Sequence, residues 1–318
     1  MCPPTLSQVV LLKQPPLFCS TCRQPESPGD LKLIQYKRCQ LKHYCSHTCE
    51  LQDKAPHHDY CLNIERMRNH YDTYPSHPLG VLSNQMGNLI FHVGYQTMDT
   101  FEHEACIFQE ALRYFVEAYK KYDKSGRIVY NLEDQILVLY VALSHDAIAF
   151  DHVYRSLSQA PPGVKVPHEY DDLLMILPDA PWRTSLLIVL LLLKMRLLGR
   201  LRKLKKRFEV FTGTSGGACL DQAQSVVYAF LIGHTASLYN QEKQIQTIFE
   251  RVHRPLICTI CNARPLTRLD APSLFHFMVP PECWQILQDC FMKELDTADV
   301  MQEFLLANQE AMTIDELD

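Results

Sequence analysis

Glycine is scarce in this chain, with 11 residues in 318. Low glycine beside abundant Leu, Ala, Gln and Lys leans the chain toward helix. The glycine-built nucleotide motifs are missing as well, since neither a P-loop nor a dinucleotide fingerprint occurs. No apolar run is long enough to span a bilayer. The strongest is Leu186–Leu193, followed at once by Lys194 and Arg196. An excess of basic charge is lacking too: 31 Lys and Arg stand against 36 Asp and Glu, a net charge of −5. The whole chain therefore has no electrostatic footprint for nucleic acid. Met1–Phe18 has one lysine and two Pro-Pro pairs where a secretory leader would have a basic start and an apolar stretch. The expectation is an intracellular, reducing compartment, nucleus or cytoplasm.

The length allows a small domain plus one sizeable core. Residues 1–18 read as a flexible N-terminal arm and 19–61 as a cysteine-rich module. Residues 62–94, rich in Asn, His, Tyr, Pro and Gly, read as a linker, and 95–318 as an all-α helical domain of unknown role. Within it, Phe101–Tyr122 places Ala105, Phe108, Leu112, Phe115 and Tyr119 on one helical face. Asn131 opens a second helix expected to reach about Leu157. Trp182–Phe208 is the longest candidate, apolar nearly all round at first and then striped by Leu197, Leu201, Leu204 and Phe208. Gln222–Val252 and Pro281–Asn308 complete the expected set.

What the chain has in quantity is cysteine. Of its 13 cysteines, six fall between Cys19 and Cys61, beside His57. In a reducing compartment, cysteines clustered at short spacings point to metal rather than to disulfides. Cys19 and Cys22 form one knuckle, Cys45 and Cys49 a second pair, and His57 and Cys61 a third, with Cys39 between the first two. Zinc takes four such ligands in a tetrahedron, and two ligands two to four residues apart can grip one ion from a tight turn.

The run Arg38-Cys39-Gln-Leu-Lys-His-Tyr44-Cys45-Ser46-His-Thr-Cys49-Glu, continued to His57 and Cys61, resembles the MYND zinc finger. That family's pattern is C-x2-C, then C-x2-C-x5-C-x3-C-x7-H-x3-C. From Cys39 onward every spacing agrees, and Asp53 also matches a commonly occupied position. The resemblance implies a cross-brace in which alternate ligand pairs share an ion. Cys19, Cys22, Cys45 and Cys49 would form the first site, and Cys39, His57 and Cys61 the second. The family's remaining cysteine belongs three residues before Cys39, where this chain has Tyr36. Three arrangements are open at the second site: zinc on three protein ligands with a water or a substitute, for which His43 and His58 are the nearest imidazoles; weakly held zinc; or Cys39, His57 and Cys61 packed without metal. Structural zinc is favoured over catalytic zinc, which needs a base and a cleft that this short module does not show. So small a module draws much of its folding free energy from its metal. The resemblance further implies a protein-interaction role toward a protein or a short proline-containing peptide, with transcriptional or chromatin regulation as one setting.

Other features carry competing readings. Cys258 and Cys261 form a further C-x2-C that Cys283, Cys290 or His276 could complete, against a bland reading as core thiols. Gly213-Thr-Ser215-Gly-Gly217 matches the nucleophile elbow of serine hydrolases, with Phe208–Phe211 as the strand it requires. The stretch looks like the serine loop of patatin-type lipid hydrolases, but the Asp-Gly dipeptide and upstream glycine-rich loop of that family are absent. Lys194–Arg207 carries eight basic residues and no acidic one, a stripe for nucleic acid or an anionic membrane, or simply a solvated face. The Asn-His-Ser-Cys signature of SET methyltransferases is absent. The expected protein is a non-enzymatic, zinc-binding adaptor of mainly α fold, with a small finger followed by helices.

Overall fold

The computed structural model describes residues 15–27, 29–73, 80–98, 101–124, 130–158, 171–178, 183–214 and 238–251, together with position 167 and scattered helical positions within 283–303. Among the described residues the fold is mainly α, with one small two-stranded sheet. The chain divides into two compact units. The first comprises Met1–His145 with Ala160–Val164 and Met278–Cys283; the second comprises Asp146–Gln159, Lys165–Phe277 and Trp284–Asp318.

In the first unit the cysteine-rich segment forms an antiparallel pair, β1 (Ile34–Gln35) and β2 (His43–Tyr44), registered Ile34 opposite Tyr44. Helix α1 (His47–Thr73) follows directly. Ser46 caps it: its Oγ accepts from the Cys49 N–H at 3.2 Å, satisfying one of the free donors of the first turn. Pro56 lies inside α1 and removes one main-chain bond. The buried residues of α1 are His57, Cys61 and Ile64, a single narrow stripe at helical spacing.

Helices α2 (Val81–Gln96) and α3 (Phe101–Lys124) make the main packing contact of this unit. The apolar face expected on α3 is there, with Ala105, Phe108, Leu112 and Phe115 all buried. Phe91 of α2 sits between the Phe108 and Phe115 rings, at centroid distances of 5.6 and 6.3 Å. Gly87 and Gly94 flank Phe91 and let the backbone of α2 approach closely. A Cβ on Gly87 would stand 2.6 Å from Phe115 Cδ1, and one on Gly94 would stand 3.1 Å from Ile107 Cγ2.

These helices correct the linker expected over 62–94. Residues 62–73 continue α1, and 81–96 are α2, packed on α3. Nor is the cysteine-rich segment tethered. Arg23 donates to Glu104 of α3 at 2.7 Å, and the Lys42 Nζ lies 3.7 Å from the other oxygen of the same carboxylate. The Lys42 and Glu104 side chains are only 2% and 3% exposed, so this is an interior charge cluster. Phe18 also packs edge-on against His103 of α3 at 4.9 Å.

The helix expected over 131–157 is two helices, α4 (Tyr130–Ala142) and α5 (Asp146–Ser158). Ser144 takes a left-handed φ of 58° and ends α4. Its N–H bonds to the Val141 carbonyl and that of His145 to the Tyr140 carbonyl, the two bonds of a Schellman motif. The Tyr140 and His145 rings meet at 6.4 Å, supplying the side-chain contact such a cap favours. The division between the two units falls immediately after this turn.

The second unit contains α5, a short α6 (Leu173–Ile176) and the long α7 (Thr184–Thr214). Asp172 caps α6 by accepting from the Leu174 and Met175 N–H groups. Leu186–Leu193 is buried throughout, as its all-round apolar character leads one to expect. Residues 238–251 form a further helical stretch. Among the described residues no helix is long and apolar enough to cross a membrane.

Candidate metal centre

Two turns with the same backbone geometry open the cysteine-rich segment. In the first, the Arg23 N–H donates to the Cys19 carbonyl at 2.9 Å, and Arg23 has a left-handed φ of 62°. In the second, the Gln40 N–H donates to the Tyr36 carbonyl at 3.0 Å, and Gln40 has a φ of 57°. Cys22 and Cys39 occupy the fourth position of each turn, and Cys19 and Tyr36 the first. Tyr36 therefore stands where the first turn places a thiol. The first turn is fastened to later elements, with the Ser20 N–H on the His43 carbonyl and the Thr21 Oγ1 on the Cys49 carbonyl.

The turns, β2 and α1 together bring all seven candidate residues into two groups. Cys19, Cys22, Cys45 and Cys49 form one; Cys39, His57 and Cys61 form the other. Within each group the ligand atoms lie within 4.8 Å of one another. The pairs alternate along the chain in the interleaved order that the family resemblance implies. In the four-cysteine group, Cys22 Sγ and Cys49 Sγ each lie 3.5 Å from Cys45 Sγ. Sulfurs at about 2.3 Å from a tetrahedral zinc stand roughly 3.8 Å apart, so the spacing fits a soft divalent cation.

The electrostatics of this group point the same way. Burial pushes the Cys19 thiol up, but backbone N–H groups of Cys22, Cys45 and Thr21 outweigh it and bring the thiol down to about 6. Cys45, hydrogen-bonded to the Cys22 and Cys49 sulfurs, is pushed up to about 12. Four thiols this close cannot all ionise by themselves, and a bound divalent cation removes the conflict.

In the second group, His57 Nε2 lies 3.2 Å from Cys39 Sγ, and its Nδ1 is buried without a hydrogen-bond partner among the described residues. Burial keeps the His57 ring below its usual value, and it is therefore neutral and able to ligate. Burial and the nearby Cys39 push Cys61 up to about 11. Tyr36 borders this group, its ring edge-on to His57 at 5.5 Å and to Tyr44 at 6.0 Å. Burial and the nearby Cys61 raise its phenol above the ordinary value. Neither histidine considered as a substitute ligand joins the group: His43 lines a cavity, and His58 is exposed. Tyr44 donates to Asp53 at 2.6 Å, bracing β2 against α1.

The remaining candidates fare differently. Phe208–Phe211, the strand an elbow at Ser215 would need, is part of α7, and Ser215 itself lies outside the described residues. Cys258, Cys261 and His276 lie outside them too, while Cys283 and Cys290 are buried. The basic stripe of 194–207 is not a continuous surface. Lys194 and Arg196 are 1% and 3% exposed, Lys194 donating to the Asp171 carbonyl and Arg196 to Asp146 at 2.6 Å. Arg200 also binds Asp146, and Arg202 pairs with Glu242 and Glu303.

Sequence reasoning missed the interior trio of Arg23, Lys42 and Glu104, and it missed Arg68, Glu110 and Arg113, which line the cavity beside His43. The Glu110–Arg113 spacing marks one helix face, but nothing local links either residue to Arg68. No family model matches the chain, and no curated protein or solved structure resembles it significantly.

Proposed function

We propose that residues 19–61 form a MYND-type zinc finger and that the chain is a non-enzymatic, intracellular adaptor binding a protein or a short proline-containing peptide. The observation that carries this reading is the interleaving of the two ligand groups, 19/22/45/49 and 39/57/61, produced by turns of matching geometry. The donor sets favour zinc, since thiolate and imidazole at tetrahedral spacing suit it better than oxygen-seeking cations. Bound zinc would be structural, held by Cys19, Cys22, Cys45 and Cys49, and at the second group by Cys39, His57 and Cys61. The protein residues themselves do the recognition: they hold the β1–β2 hairpin and the start of α1 as a rigid surface. The peptide class is taken from the family resemblance alone.

The test is native mass spectrometry on the full chain, because the finger shares an interior charge cluster with α3. Two zinc ions are expected, falling to at most one in Cys45→Ser, with fluorescence anisotropy of a proline-containing peptide losing its signal in the same variant. Absence of any bound metal would overturn the reading.

Nucleic-acid binding through the basic stripe has less support, because two of its eight basic residues are interior.

A further inference from the structure

Between the hairpin, α1 and α3 lies a cavity of about 330 Å³, all within the first unit. Gln35, Gln40 and His43 line it from the hairpin, Arg68 from α1, and Glu110 and Arg113 from α3. Its size suits a single side chain or a small molecule.

The charges are unbalanced in a telling way. Glu110 Oε1 is 2.7 Å from Arg113 Nη2 and 3.6 Å from Arg68 Nη2, so one carboxylate oxygen serves two guanidinium groups. The Arg68 side chain is 15% exposed, and its Nη1 is buried with no hydrogen-bond partner among the described residues. A buried guanidinium donor without an acceptor is destabilising, and it is best satisfied by a carboxylate accepting from the guanidinium fork. With two arginines against one glutamate, the wall has room for one further negative charge. Gln35 and Gln40 add groups able to bond peptide amides.

We infer that this cavity receives a carboxylate of a bound protein or peptide, with Arg68 as its principal partner and Arg113 as the second. The inference extends the adaptor reading by giving the partner an acidic anchor, whether a side chain or a chain terminus. A phosphate dianion matches the single spare charge less well. Apart from His43, no ring among the described residues lines the cavity to stack a base.

The test uses the zinc-loaded full chain and small probes, so it does not depend on any proline-containing peptide. N-acetylglutamate α-amide, N-acetylglutamine and N-acetylglutamine α-amide are titrated while the arginine side-chain N–H signals are followed by NMR. The first carries only a side-chain carboxylate, the second only a terminal one, and the third neither. Saturation by at least one carboxylate probe is expected, on the order of millimolar for a fragment this small. The neutral amide should bind at least about tenfold more weakly. Arg68→Gln should abolish that selectivity, and Arg113→Gln, whose side chain is 62% exposed and whose loss the fold can tolerate, should reduce it. Equal binding of the three probes, no saturable binding by any, or selectivity undiminished in Arg113→Gln would overturn the inference. Failure of the adaptor reading would instead appear as lost peptide binding with the probe titrations intact.

Discussion

Replacing Glu104 by Gln removes one charge from the interior and leaves the shape almost unchanged. Glu104 is the shared counter-ion of Arg23, which donates to it at 2.7 Å, and of Lys42, whose Nζ lies 3.7 Å away. Arg23 is 22% exposed and keeps a second bond, from Nη2 to the Thr97 carbonyl at 3.2 Å, so it can turn toward water at modest cost. Lys42 cannot, because its side chain is 2% exposed. The substitution thus strands a buried ammonium, and breaking a buried pair in this way typically costs about 3–5 kcal/mol. That is a large share of the roughly 5–15 kcal/mol that stabilises an ordinary domain. At about 2–4 °C per kcal/mol for a unit this size, the melting temperature should fall by roughly 6–20 °C. Urea unfolding and differential scanning calorimetry measure the loss, and limited proteolysis should show the segment before α1 becoming cleavable. Adding Lys42→Met removes the stranded charge, and the double variant should recover at least half of the loss. A single-variant cost below about 1 kcal/mol, or a double variant no better than the single one, would refute the idea that this cluster docks the cysteine-rich segment on α3.

Tyr36→Cys restores a thiol at the first position of the second turn. It should slow chelator-driven zinc loss from one site by at least about tenfold, the scale on which even outer-shell partners act. Unchanged kinetics would mean that position 36 does not face the second group. Gly87→Ala gains about 1 kcal/mol of helix propensity but drives a methyl into the buried Phe115 ring, where overpacking costs about 1–3 kcal/mol. Urea denaturation should report a net loss, and a net gain would show that the ring can move aside. Ser144→Gly relieves the left-handed strain that ends α4 and should stabilise by up to about 1 kcal/mol, whereas Ser144→Val should destabilise by more.

The seven candidate ligands were legible because metal-binding spacing is local. A knuckle is a turn, and a turn is written in adjacent residues. The helix that carries three of them was not legible. Of the stripe that α1 buries, His57 and Cys61 were accounted for as ligands, which left Ile64 as the sole apolar sign of an amphipathic helix. Pro56 stands inside this helix, where proline is ordinarily a breaking residue. Residues 81–96 looked like a tether because Gly87 and Gly94 usually punctuate; here they are contact points for the Phe115 and Phe108 rings. The α4–α5 break carries no local sequence signal, because a serine, not a glycine, takes the left-handed position. Lys42 and Glu104, or Arg68 and Glu110, are far apart in sequence, and only the tertiary fold makes either a pair.

The second turn keeps its shape through a main-chain bond from Gln40 to Tyr36 and through the φ of Gln40, neither of which involves the side chain at position 36. Shape and metal chemistry are therefore separable here. A change of side chain at position 36 can alter the affinity of the second group for a metal ion and leave the hairpin backbone as it is. Metal content and hairpin shape can then vary independently, and counting bound ions would say little about the surface that the hairpin offers.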